Sequence, residues 1–399
     1  MKILLVGDYG TATGGAEIFT LMLRDGLRRR GHDARLFTSS ACPGSTPGQA
    51  DYECFGTTLW FRALLQTANP WAYWKLRRIL MEFKPDVVHV GIFLTQLSPL
   101  ILPLLKNVPS VYRVHWYRPI CLTGTKMMPD RSICSEKPGS ICYRKGCLPL
   151  RDWLPLTPQM KLLRRWLGVF NLFVANSEFT KSCLIEENIG PVTVITPGVQ
   201  NRPPRPLLSD PPTVVFAGRL VREKGVDVLL QAFAKVVKLI PEARLFVAGA
   251  GSEKKSLKLL IVELGLSNNV SMQGHLSHLE MENRFNDAWV QMVPSLFDEP
   301  FGMVAVEAMV RGTAVIASDC GGLIGIVEER RTGFLTPPGD IDALADAILR
   351  VLQDRELAER LGATGRQVAS TKFTEKKFVN RFIEIYENLL AHNGKAAND

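Results

Sequence analysis

The sequence predicts an α/β protein built from two doubly wound parallel-sheet domains that face each other across a cleft. Three observations carry that prediction. The 399 residues are too many for one simple core. Short β-rich runs alternate with helical stretches twice over, once in each half, as parallel sheets covered by helices require. Between the halves lies "QNRPPRPLLSDPPT" (200–213), rich in proline and without periodicity, which is linker composition. The expected layout is an N-terminal Rossmann-like domain over 1–200 and a linker over 201–212. A C-terminal Rossmann-like domain comes next over 213–374, then a last helix over 375–399 that can cross back to the N-terminal domain.

In the first half the strands read as "KILLVGD", "DARLFTS", "DVVHVGIF", "SVYRVHW", "LFVANS" and "VTVITPGV", with helical patterns such as "AEIFTLMLRDGLRRRG" between several of them. In the second half they read as "TVVFAGRL", "ARLFVAGAG", "NVSMQGHL", "WVQMVPS" and "TAVIASDC", each with a helix before or after it. Ligands of such open sheets bind outside the carboxyl ends of the strands, so the loops that leave those ends are where chemistry is sought.

With 46% hydrophobic and 22% charged residues, the chain has apolar material for two cores and no mark of pervasive disorder. An excess of 48 Lys and Arg over 39 Asp and Glu suits anionic partners: phosphorylated small molecules, an anionic membrane face or nucleic acid. No nucleic-acid recognition module is visible, which argues against the last. No run approaches the roughly 20 apolar residues of a membrane span, and "MKILLVGDY" reads as a first buried strand. The expectation is a cytoplasmic protein that can work at the cytoplasmic face of a membrane. "LWFRALLQTANPWAYWKLRRIL" (59–80) and "MKLLRRWLGVF" (160–170) mix aromatic and basic residues. They suit peripheral contact with an anionic membrane, and equally core-facing helices with solvated basic faces.

Three loops carry candidate chemistry. In "GDYGTATGGAE", Gly14 and Gly15 join a strand to a helix, where backbone amides and the helix dipole can meet an anion. The spacing is not the dinucleotide fingerprint, and a ligand-free tight turn reads as well. In "FAGRLVREKGVDVLLQAF" (216–233), Arg219 stands just past a strand and Lys224 precedes Gly225 and a helix. Two cations there form a metal-free diphosphate clamp, or simply a solvated basic turn. In "SLFDEPFGMVAVEAM" (295–309), Glu299 lies in a turn and Glu307 interrupts an apolar run that reads as a buried helix. A buried Glu307 must meet donors, whether an arginine, a backbone amide or a ligand. Counted along a helix, the two carboxylates stand about 12 Å apart, the scale of a sugar nucleotide. Separately, Cys121, Cys134, Cys142 and Cys147 can close a structural Zn²⁺ or iron–sulfur site, although paired Cys-x2-Cys hooks are missing. Reduced thiols or a disulfide are the alternative.

"PSLFDEPFGMVAVEAMVRGTAVIASDCGG" closely resembles the signature of retaining glycosyltransferases of family 4, which have the GT-B fold. "GGAE", "VANSEFTKS", "VITPGV", "GRLVREKGVDVLLQAF" and "TGFLTPPGD" resemble that family too, in the expected order. The resemblance implies that Arg219 and Lys224 hold a donor diphosphate. It implies that Glu299, with the amides of Phe301, Gly302 and Met303, grips the donor sugar, and that Glu307 bonds the ribose. Gly14 and Gly15 would approach the diphosphate, and His115 in "VHWYRPICL" would lie near the reacting sugar. The sequence departs from the family at Gly325 and Gln200, where an acidic residue is usual. The activity this resemblance implies is that of a retaining transferase using a UDP- or GDP-linked sugar and a glycan or glycolipid acceptor. With neither glutamate read as a nucleophile, front-face displacement is expected; with no Asp-x-Asp motif, no metal is required. A sugar-nucleotide epimerase on the same fold and a non-catalytic sugar-nucleotide binder are the other readings.

Overall fold

A computed structural model describes residues 1–12, 14–42, 48–59, 62–276 and 278–396. The chain divides into two compact units, residues 1–198 with 375 onward, and residues 199–374. The first unit holds a seven-stranded sheet of β1 (Lys2–Tyr9), β2 (Asp33–Ser39), β3 (Tyr52–Cys54), β4 (Val87–Val90), β5 (Ser110–Val114), β6 (Leu172–Ala175) and β7 (Val192–Val194). Its order is β3-β2-β1-β4-β5-β6-β7 and every pair is parallel. The second unit holds β8 (Thr213–Ala217), β9 (Arg244–Ala248), β10 (Val270–Gly274), β11 (Val290–Val293), β12 (Ala314–Ser318) and β13 (Gly333–Thr336). Their order is β10-β9-β8-β11-β12-β13, again all parallel. These are two Rossmann-like sheets, the GT-B class of fold.

The central strands β4, β5, β11 and β12 are buried at every residue, as strands covered by helices on both faces must be. The strands expected from the sequence lack only β3 and β13, edge strands of three and four residues, too short to show a period. In each sheet the chain winds outward, then restarts on the other side of its first strand. The order therefore reverses between β1 and β4 and between β8 and β11, and the loops leaving those strands open a crevice.

The proline-rich stretch expected as a linker is laid along the second unit. Arg205, with its side chain 3% exposed, bonds Glu359 at 2.8 Å and donates from Nε to the Gly312 carbonyl at 3.0 Å. The Leu208 amide donates to Glu359 at 2.8 Å, and Trp289 Nε1 to the Ser209 carbonyl at 2.9 Å. Proline removes backbone donors, so side-chain anchors replace a ladder. The helix Glu375–Ala396 belongs to the first unit, where Phe378, Phe382 and Tyr386 are buried. Its Phe378 and Phe382 rings lie 4.6 and 5.6 Å from the buried Arg113 guanidinium, and Tyr386 Oη meets His89 Nδ1 at 2.7 Å. Among the described residues, no helix is long and apolar enough to cross a membrane.

Burial pushes the Glu359 carboxyl up, but the Arg205 guanidinium and the Leu208 amide outweigh it and hold the group below its ordinary value. The stabilisation from this pair is therefore complete above the unfolded carboxyl range and is lost as pH falls through the lower folded value. Arg205→Ala should cost the second unit about 2 kcal/mol in urea unfolding at neutral pH. The loss should shrink in acid; a pH-independent loss would show that the pair is not its source.

Candidate functional site

The second unit builds its site where β8 and β11 diverge. After β8 the chain makes a 3-10 turn, Arg222–Lys224, and enters the helix Val226–Leu239 through Gly225 at φ +63°. A Cβ on Gly225 would stand 2.0 Å from the Pro294 carbonyl oxygen, so only glycine lets this turn press against the loop that leaves β11. The Leu296 amide donates to the Glu223 carbonyl at 2.8 Å and ties the two loops. Across that seam the Lys224 ammonium meets Glu299 Oε1 at 2.5 Å, and Ser295 Oγ donates to the same oxygen at 2.6 Å. The side chains are only 20% and 9% exposed, and the ammonium lies 5.1 Å from the centre of the Phe297 ring.

The loop after β12 backs this turn. A Cβ on Gly321, at φ +55°, would come within 2.5 Å of the Glu299 backbone, and one on Gly322 within 2.7 Å of Phe301 Cα. The Gly322 amide donates to the Glu299 carbonyl at 2.7 Å, and the Cys320 thiol to the Phe297 carbonyl at 3.2 Å. Burial, helped by nearby Asp298 and Glu299, pushes that thiol up to about 12, so it stays protonated and serves as a small donor. Gly302 opens the helix Met303–Arg311 at φ +121°, and no side chain caps the first turn. The amides at its start, Met303 included, therefore have no side-chain cap.

The expectation of a fully buried helix is corrected at one face. Met303, Val304 and Glu307 are half-buried along it, while Ala305, Val306, Ala308, Met309 and Val310 pack inward. Glu307 thus sits on the open side of an amphipathic helix, and its charge acts on Arg311 one turn later. The other candidate cation, Arg219, is 68% exposed and pairs with Glu223 at 3.4 Å, apart from the Lys224–Glu299 pair.

In the first unit the corresponding divergence lies between β1 and β4. The buried Asp8 carboxylate accepts from the amides of Thr95, Gln96 and Leu97 at 2.7, 2.7 and 3.1 Å, joining the two loops. Burial raises its pKa although these amides oppose the rise. Gly14 precedes the helix Gly15–Arg28 without a side-chain cap, and a Cβ there would stand 2.9 Å from Glu17 Oε2. His115 lies just past β5. Its Nε2 is shut from solvent with no partner among the described residues, and a Cβ on Gly91 would stand 3.6 Å from it. Burial first, then the charges of Arg113 and His89, push its pKa well below the ordinary histidine value, so the ring is neutral.

Cys121, Cys134, Cys142 and Cys147 are in no disulfide. Burial raises the Cys142 and Cys147 thiols, and the electrostatic influence of Cys121 and Cys134 on both puts the four in one neighbourhood. Among the described residues, however, no three His, Cys, Asp or Glu side chains are grouped to hold a metal ion. The Cys121 sulfur lies 3.1 Å from Thr123 Oγ1 and Cys142 is packed into the core.

With the geometry in view, two family models account for most of the chain. "Glycosyltransferase Family 4" matches residues 13–202 and "Glycosyl transferases group 1" matches residues 200–368. Glycogen synthase from Mycobacterium tuberculosis is 30% identical over 76% of this chain and 69% of its own length. The chain belongs to glycosyltransferase family 4. The lipopolysaccharide core biosynthesis glycosyltransferase LpsD of Rhizobium meliloti is 26% identical over 98% of this chain and 99% of its own length. Other relatives match over less: the chain spans 47% of the alpha-D-kanosaminyltransferase of Streptomyces kanamyceticus, at 29% identity over 46% of this chain. Sucrose-phosphate synthase from Thermosynechococcus elongatus shares the fold with a TM-score of 0.79 at 22% identity, over 98% of this chain and 100% of that one.

Reading the sequence for charged chemistry left out Asp8, Ser295, Cys320, Gly321 and Gly322 and took Gly225 only as the residue after Lys224, although all six hold these loops in place. The one visible signal was the glycine pair in "SDCGG". Gly225→Ala should force the loops apart and separate Lys224 from Glu299. Calorimetry should find nucleotide binding weakened at least tenfold, with a smaller loss in thermal stability. Unchanged nucleotide affinity would mean that the glycine contact does not set the pair.

Proposed function

We propose that this glycosyltransferase moves a sugar from a UDP- or GDP-linked donor to a hydroxyl of a glycan or lipid-linked saccharide, with retention at the anomeric carbon. The observation that carries the reading is the Lys224–Glu299 contact, made by two loops that meet at the switch point of the second sheet. A cation and an anion side by side match the two halves of a sugar nucleotide. The diphosphate draws Lys224, which releases Glu299 Oε1 to accept from a sugar hydroxyl. Phe301, Gly302 and Met303 offer backbone amides to the same sugar, and Glu307 takes the ribose further along the helix. Arg219, extended in solvent, swings onto the diphosphate; on the first unit, Gly14 and Gly15 leave an uncapped helix start that is open to an anion. Anabaena HepE, 21% identical, has been solved with UDP-glucose, which agrees with a UDP-sugar donor.

In the reaction the bond from the anomeric carbon to the diphosphate oxygen breaks, and the acceptor oxygen attacks from the same face. The departing phosphate takes the proton of that hydroxyl. Lys224 and Arg219 stabilise the charge that develops on it, and no metal ion is needed. Glu299 is engaged by Lys224 and Ser295 and is a binder in this scheme rather than a nucleophile. His115 is neutral, so it serves as a hydrogen-bonding group beside the reacting sugar. The four cysteines can draw together around a structural zinc on binding it, and zinc content of the purified chain tests that separately.

Peripheral contact with an anionic membrane is part of the proposal. Trp71 and Trp74 are 54% and 60% exposed on one helix, and Arg77 lies over the Trp74 ring at 5.3 Å. Co-sedimentation with phosphatidylglycerol vesicles but not with neutral ones is the expected result.

A panel of UDP-, GDP- and ADP-sugars, with and without glycan acceptors and EDTA, tests the reaction. Acceptor-dependent nucleotide release, insensitive to EDTA and yielding an axial or equatorial product as in the donor, is expected. Sugar interconversion without acceptor would identify an epimerase instead. Lys224→Ala and Glu299→Ala should each lower kcat/KM by at least a hundredfold, and Glu307→Ala should chiefly raise the donor KM. Because His115 is already neutral, the pH–rate profile should show no limb in the ordinary histidine range; a limb there that His115→Gln removes would contradict its assigned role.

A further inference from the structure

The first unit carries a groove of about 650 Å³ that the donor chemistry does not use. Its floor is Trp116 and Arg118, just beyond His115 in the chain, and its walls come from the helices Arg62–Thr67 and Leu150–Trp166. The size suits a saccharide of one or two rings.

The floor is built rather than incidental. Arg118 is 5% exposed, and its two terminal nitrogens donate to the Leu122 carbonyl and to Gln159 Oε1. Its guanidinium lies 5.6 Å from the centre of the Trp116 ring, and its Nε has no partner among the described residues. Gly124, at φ +82°, lies under both: a Cβ there would meet Trp116 at 2.9 Å and Arg118 at 3.2 Å. Two further arginines line the groove, Arg62 and Arg151, against one carboxylate, Asp152, which stands 3.5 Å from Arg151. A groove lined by an indole and by two exposed arginines besides the engaged Arg118 matches a sugar ring that carries a negative charge, because guanidinium pairs carboxylate or phosphate through two parallel hydrogen bonds.

We propose that this groove is the acceptor subsite and that the acceptor is an anionic saccharide, with a carboxylate or phosphate held between Arg62 and Arg151 and the ring against Trp116. This deepens the transferase reading and rests on it. The groove lies beyond the carboxyl ends of β4 and β5, and Trp116 in its lining follows His115 in the chain.

The test uses the full chain and direct binding, read by saturation-transfer NMR and Trp fluorescence. The probes are methyl glucuronide, glucose 1-phosphate and neutral methyl glucoside. At least tenfold tighter binding of a charged probe is expected, weakening as salt rises from about 50 to about 500 mM. A preference for the glucuronide identifies a uronic-acid acceptor, and one for the phosphate a phosphorylated or phosphate-linked acceptor. The double variant Arg62→Ala/Arg151→Ala, at two exposed positions, should bring the charged probe down to the level of the neutral one while the melting temperature is kept. Equal binding of all three probes, no binding of any, or full retention of the preference in the double variant would overturn the proposal. Binding is measured without turnover. Charged-probe binding with no transfer from any donor would therefore sink the reaction and spare the groove; donor turnover with no charge preference would do the reverse.

Discussion

The contact on which the second unit's site depends is backbone against backbone. Gly225 is pressed on the Pro294 carbonyl, and that approach brings the loops after β8 and β11 close enough for Lys224 to reach Glu299. Parallel strands that reverse order must send their loops apart, and the opening between them is where a ligand fits. Here it is narrowed until only glycine fits at one seam, and the pair of opposite charges is held across it.

The same economy recurs on the other side of the turn. Gly321 and Gly322 have no side chains because the Glu299–Phe301 backbone occupies that space, and the Gly322 amide bonds the Glu299 carbonyl. Cys320 and Ser295 add two small donors. A carboxylate only 9% exposed would be costly if left alone. An ammonium and a hydroxyl on one oxygen offset that cost and still leave both charges exchangeable for those of a ligand. The first unit uses a different device at its own switch point, where one buried carboxylate, Asp8, collects three amides from the opposite loop. It is a clasp. Among the described residues, His115 Nε2 and Arg118 Nε, at the end of β5 and just beyond it, are buried without a hydrogen-bond partner, as is Thr11 Oγ1 just past β1.

What was legible in the sequence reflects period and length. Eleven strands could be read because each lies in a β-rich run flanked by turns; β3 and β13, edge strands of three and four residues, escape that reading. The proline-rich stretch read as a linker from its composition and lack of periodicity; that Arg205 and Leu208 fasten it through side-chain and carboxylate bonds is something no composition reveals. Glu307 read as buried because its neighbours are apolar; the helix turns Met303, Val304 and Glu307 to one half-open face.

The sequence by itself determined the α/β class, the two sheets and the family, since strand periodicity and the ordered motifs from "GGAE" to "TGFLTPPGD" are local properties of the chain. It also singled out Lys224 and Glu299 as candidates. Only the tertiary structure decided that these two touch, that Arg219 stands apart in solvent, and that the four cysteines share a neighbourhood without forming a ligand set. Lys224 and Glu299 lie 75 positions apart. Their meeting depends on the reversal of strand order and on a glycine-sized gap between loops, and neither is written in the residues nearby.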